Sequence, residues 1–284
     1  MSSPWRQITL IKMNIEQPLY DLMLLIAGGV NILLALVLLH NNYWYQSYDV
    51  YHRSRIIVAV NYIIFGIGFL MHAHLSWRTS WPEAASALSL SYFHSGGVLF
   101  GWSHTSLMRP DYLTRRVVVR DLLILALGIT AYWTAAFLSP SDYGQTLNLS
   151  IFGSFNISLF NLSTIIFFLH AIYISYIFYH TYYRVSRNLS DRAADANAPR
   201  WWSPEVKRTV LSFHHSFLIG CHLIILFGIG SIAITAAFPN DIWPYTLLLI
   251  LGILVFTYIF YSLTEYGNVI EAGTNATEDA ELKL

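Results

Sequence analysis

Seven apolar stretches alternate with short polar ones along this chain. They cover about residues 20–40, 56–75, 84–108, 118–138, 157–183, 210–238 and 243–263. Each reaches the roughly 20 residues with which an α-helix crosses the hydrocarbon core of a bilayer. The pattern predicts an all-α integral membrane protein built as a bundle of seven transmembrane helices. Local signals mark two of the starts. Pro82-Glu83 and Ser203-Pro204-Glu205 place proline in a first helical turn, where its missing N–H costs nothing. Residues 1–19 mix polar and apolar positions and predict either an interfacial helix or a disordered start. Residues 264–284 are polar and acidic and predict a disordered cytoplasmic tail.

Composition sharpens the class. The chain is 55% hydrophobic and 11% charged, against about 25% charged residues in a soluble domain. Lys+Arg and Asp+Glu number 16 each, so no charge excess points to nucleic acid. Cys221 is the sole cysteine, which removes a disulfide framework.

The placement of charge carries more than its sum. With seven spans, Arg6, Lys12 and Arg78 lie on one side. The other 13 of the 16 Lys and Arg residues lie on the opposite side or at span ends facing it. They include Arg53, Arg55, Arg109, Arg115, Arg116, Arg120, Arg184 and Arg187. The positive-inside rule then places the N-terminus outside and the C-terminus in the cytoplasm. These arginines form a basic inner face suited to anionic lipid headgroups and to a cytoplasmic signalling partner.

Candidate chemistry rests on histidine. Asp21, Asp121 and Glu265 read as span-end residues, so no carboxylate is expected deep in the membrane. Of the 11 histidines, His94, His170 and His222 fall at one depth on the third, fifth and sixth spans. Side chains that meet must share a level, so these three, with Tyr173 and Tyr176, are the candidate ligand site. His104 lies ten residues from His94, about 80° away in facing, and is expected to point elsewhere. The plain alternative is interhelical hydrogen bonding, worth about 1 kcal/mol. No motif for catalysis or metal binding is present, and no cofactor is expected. A haem or metal redox protein using the histidines, and a small-solute transporter, are the rival functions. Gly97 and Gly101 form a G-x-x-x-G pair with His94 and Thr105 on the same face, which predicts close helix packing and, more weakly, a homo-oligomer.

Three patches resemble a known class. Tyr51-His-Arg-Ser-Arg55, Tyr92-Phe93, and Tyr112-Leu-Thr-Arg-Arg116 with Arg120-Asp121 are similar to the multi-span bacterial membrane sensor modules that precede helix-turn-helix regulators or histidine kinases. The resemblance spans residues 40–125 and the number of spans. It implies a non-catalytic signalling module of the bacterial inner membrane. Only 21 residues follow Leu263, without a regulator or kinase, so the expectation is either an output domain on a separate protein or a truncated or stand-alone relative.

Overall fold

A computed structural model describes residues 4–46, 48–138, 159–194, 218–231, 233–234, 238 and 242–281. Its elements are α1 (Pro4–His40), a 3-10 turn (Asn41–Tyr45), α2 (Asp49–Leu75), the short α3 (Trp77–Ser80), α4 (Pro82–Met108), α5 (Arg115–Leu138), α6 (Leu159–Ala194), α7 (Leu218–Ser231) and α8 (Ile242–Glu281). Among the described residues there is no strand.

Among the described residues, five helices are long and apolar enough to cross a membrane: Glu16–Tyr45, Asp49–Leu75, Arg115–Leu138, Ser163–Val185 and Ile242–Asn268. Their outer faces carry exposed Leu22, Leu33, Leu123, Leu127, Leu169 and Leu254, as contact with lipid requires. The chain is therefore an integral membrane protein of helical class.

α4 is not one of the five, because serines, histidines and glycines dilute its hydropathy. It is instead largely enclosed, with 19 of its 27 residues buried. Neighbours rather than lipid cover it, so it tolerates polar side chains. Its serines turn back on their own helix: Ser91 Oγ donates to the Ala87 carbonyl (2.7 Å), Ser95 to Ser91 (2.8 Å) and Ser106 to Trp102 (2.6 Å).

α4 touches α2, α5 and α6 along its length, and its aromatic rings reach α7 and α8. Phe93 meets Phe227 at 5.6 Å between centroids, and Phe100 stacks on Phe256 at 6.1 Å. Tyr51 Oη donates to the Leu263 carbonyl (2.7 Å) and Tyr266 Oη to the Leu107 carbonyl (3.3 Å). These two bonds gather the start of α2, the end of α4 and the end section of α8 at one end of the bundle. At the other end Trp77 packs on Trp81 and Trp133. α1 and α2 cross where Gly28 faces Gly66. A Cβ on either would stand 3.1 Å from the other's carbonyl oxygen, so the two backbones touch there.

Several boundaries differ from the sequence reading. The N-terminal segment is continuous with the first span as one helix from Pro4. The tail expected to be disordered is helical to Glu281; a helix already nucleated in the membrane extends through helix-forming Glu and Ala at little cost. α2 begins at Asp49, so Arg55 belongs to a helix rather than to a loop, and it is buried. Its Nη1 donates to Tyr51 Oη (3.0 Å), its Nη2 to the Leu38 carbonyl (3.1 Å), and its guanidinium lies 4.7 Å over the Tyr45 ring. The Ser203-Pro204-Glu205 start lies outside the described residues.

Candidate functional site

The polar centre of the bundle is a line of side chains on α4, α5 and α6. Tyr132 Oη donates to His94 Nδ1 at 2.9 Å. His94 Nε2 meets His170 Nδ1 at 2.8 Å. His170 Nε2 points at Asp121 Oδ1, 3.6 Å away. All four side chains are buried: Asp121 and Tyr132 are 0% exposed, His94 1% and His170 3%.

The partners orient the line. Asp121 also accepts from Trp102 Nε1 (2.7 Å) and Arg120 Nε (2.8 Å). Arg120 Nη2 lies 2.7 Å from the same carboxylate, a charge contact rather than a well-angled hydrogen bond. An aspartate beside arginine is an acceptor, so the proton of His170 belongs on Nε2. Its Nδ1 must then accept from His94 Nε2–H, and His94 Nδ1 accepts from Tyr132. Every donor therefore points from Tyr132 toward Asp121. Along α5, Asp121 and Tyr132 are separated by about 16 Å of helix rise, roughly half the thickness of a bilayer's apolar core.

One link is open. His170 Nε2 has no hydrogen-bond partner within 3.5 Å, and closing the 3.6 Å gap to bonding distance needs a shift of about 0.4 Å. The line thus has a closed segment, Tyr132–His94–His170, and a segment around Asp121 poised beside it.

Beyond Asp121 the line leaves the core. Arg120 Nη1 donates to Tyr173 Oη at 2.6 Å and lies over that ring at 4.6 Å. Tyr112, in the turn between α4 and α5, is buried beside Arg120. Burial, and then the Asp121 charge, push its hydroxyl up to about 12, so it stays a neutral donor throughout the physiological range. In the same turn the Arg109 hydrogen bond holds exposed Asp111 below the ordinary carboxylate range.

Local sequence explains the assembly. Asp121, Gly128 and Tyr132 recur at i, i+7, i+11, which is one stripe of α5. Gly128 is needed opposite His94: a Cβ there would stand 2.8 Å from His94 Nδ1 and 2.9 Å from Tyr132 Oη. His170 and Tyr173, three apart on α6, face the same stripe.

Of the candidate ligand residues, the fold joins His94 and His170 and links Tyr173 to them through Arg120. It leaves out His222, which is exposed, contacts its own Leu218 carbonyl through Nδ1 (2.8 Å) and packs on Tyr179. A helix turns about 100° per residue, and on α7 it is neighbouring Cys221 that faces inward. Tyr176 is 62% exposed on the outer side of α6. Asp121 corrects a second expectation. Near the end of its span, it is nonetheless enclosed because α4 and α6 cover that face of α5. Arg120 is correspondingly its ion-pair partner rather than a free surface cation, whereas Arg109, Arg115, Arg116, Arg184 and Arg187 are exposed.

Next to the polar line lies an apolar cavity of about 430 Å³ between α4, α6 and α7, closed by Phe65 of α2 and Phe256 of α8. His94 and His104 both border it, so His104 does not point away from His94's side of the helix as expected. Gly101 packs against Ile174, but Gly97 has nothing within 4 Å of a built Cβ. Only half of the G-x-x-x-G pair is a packing contact.

No protein-family model, curated protein or solved structure matches the chain. The site must therefore be read from its own geometry. His94 and His170 turn their facing nitrogens on each other rather than on a common centre. Among the described residues no three His, Cys, Asp or Glu side chains are grouped to hold a metal ion. The arrangement is suited to relaying a rearrangement or a proton along α5, from the cavity wall to the α4–α5 turn.

Proposed function

We propose that this protein is a membrane-embedded sensor that passes a signal received in the bundle core to a separate cytoplasmic partner. One observation carries the reading. His94 borders the cavity and also belongs to the polar line that ends on Arg120 and Tyr112 at the α4–α5 turn. A change at the cavity wall moves His94, and His170 then gains or loses Asp121 through the open 3.6 Å link. That alters the grip on Arg120, whose neighbours form the basic surface. A contact that alternated between bonded and open at this link would act as a switch, because packed cores are bistable rather than continuously deformable.

The proposed architecture is seven spans, with α4 as the shielded third and α7 as part of the sixth, in a bacterial inner membrane. The N-terminus is outside and the C-terminus inside, as the positive-inside rule directs. Exposed Arg109, Arg115, Arg116, Arg184 and Arg187 then face anionic headgroups and the partner. An alkaline phosphatase reporter fused after Leu284 is expected to be inactive in the bacterial host; an active fusion overturns the orientation.

The sensor reading is tested by transcript profiling of the native host. Deletion of the gene and the chromosomal Asp121→Asn allele, with protein levels matched by immunoblot, are expected to alter the same discrete set of transcripts. Unchanged profiles in both strains would remove the proposal.

A further inference from the structure

We infer that the cavity between α4, α6 and α7 is a binding site for a neutral, ring-containing lipophilic molecule that enters from the bilayer. The inference rests on the sensor reading in one respect: it names the class of signal that His94 would detect.

The cavity has the dimensions of a ligand site. Its volume of about 430 Å³ lies within the 300–1,000 Å³ of small-molecule pockets. It is also space that the chain keeps open. Gly97 on α4 and Gly228 on α7 both border it, and a Cβ built on either meets no atom within 4 Å. A sequence selected only for packing its helices on one another would fill such a space with side chains, because protein interiors are close-packed.

The walls define the chemistry. Phe65, Phe93, Phe100, Phe227 and Phe256 contribute rings from four helices, and aromatic faces and edges favour ring partners in offset or edge-on contact. Among the described residues no Asp, Glu, Lys or Arg borders the cavity, so an ionised ligand would be buried without a counter-charge. His94 adds no free charge, because both its nitrogens already serve Tyr132 and His170. Among the remaining lining residues, Ser175 on α6 and His104 on α4 carry polar groups, beside which a single polar group of the ligand would sit.

The route in is lateral. The cavity is edged by Phe168, Ile172 and Tyr176 on α6 and Ile229 on α7, which are 46%, 50%, 62% and 50% exposed. The α6 residues lie in the middle of the apolar run Ser163–Val185. At that depth the surroundings are acyl chains, so a ligand arrives from the membrane rather than from water.

The test uses the full chain in phosphatidylcholine nanodiscs with the fluorescent probe 1-aminoanthracene, against empty nanodiscs. Saturable binding at one site per chain is expected. Phenanthrene should displace the probe, and hexadecane at the same membrane concentration should not. Gly97→Leu places a side chain in the open space and is expected to weaken binding at least tenfold without lowering the melting temperature. Gly29→Leu, on the exposed face of α1 with nothing near its Cβ, should bind as wild type. If Gly97→Leu does not fold, Gly228→Leu makes the same test from the opposite wall. Binding no greater than to empty nanodiscs, equal displacement by hexadecane, or wild-type affinity in both glycine variants overturns the inference. Saturable binding with unaltered host transcripts upholds the site and removes the sensor reading; absent binding with altered transcripts overturns the site alone.

Discussion

Replacing Asp121 with alanine is expected to destabilise the protein by about 3 kcal/mol. The carboxylate is 0% exposed and is shared by Trp102 Nε1, Arg120 and the nearby His170 Nε2. Its removal strands the two bonded donors, Trp102 Nε1 and Arg120 Nε, and a buried donor without an acceptor costs its full desolvation. The loss falls short of the upper end for buried pairs because the Arg120 side chain is 39% exposed and can turn to water. Asp121→Asn, which keeps the shape and one acceptor oxygen, should lose roughly half as much. Reversible unfolding in mixed detergent micelles measures both. Asp111→Ala removes an exposed carboxylate from its neighbour Arg109 and serves as the control. If Asp121→Ala is no more destabilising than Asp111→Ala, Asp121 does not anchor the polar line.

Gly128→Leu is the second large expected effect, again about 3 kcal/mol, at the upper end of overpacking costs. The first added atom already collides with His94 Nδ1 at 2.8 Å and Tyr132 Oη at 2.9 Å. The imidazole must swing away, breaking the bonds to Tyr132 and His170 together. The sign is diagnostic, since replacing glycine inside a helix otherwise gains about 0.5–1 kcal/mol. Gly128→Ala should therefore destabilise, whereas Gly29→Ala on the exposed face of α1 should not. Adding His94→Ala to Gly128→Leu should restore part of the lost stability by giving the leucine the space of the imidazole. Strictly additive losses in that double variant would show that the two side chains do not meet.

The residues behind the sensor resemblance acquire physical roles. Tyr51 and Arg55 tie α1, α2 and α8 together at the end that carries the basic loops. Tyr92 and Phe93 belong to the aromatic centre around Phe65. Tyr112, Arg120 and Asp121 are the terminus of the polar line. Each patch thus lies at a contact between packed helices.

Part of the site is legible in the sequence. Asp121, Gly128 and Tyr132 share one stripe of α5, and the adjacent opposite charges of Arg120-Asp121 open an apolar run. That stripe is as regular as the His94, Gly97, Gly101, Thr105 stripe on α4. The stripe does not by itself announce a buried site, because a carboxylate near a span end is ordinarily solvated and nothing in the α5 sequence says that two other helices cover it.

The sequence by itself determined the helical membrane class and the approximate positions of the described helices. Both follow from the hydropathy of each stretch taken alone. It also placed His94 and His170 at one depth, because depth follows from counting residues along a helix. Tertiary structure alone decided which of these side chains meet. His94 and His170 bond while His222 turns outward, and Gly101 packs while Gly97 borders a cavity. The reason is rotational: one residue turns a helix by about 100°, so facing is settled by how neighbouring helices seat against each other.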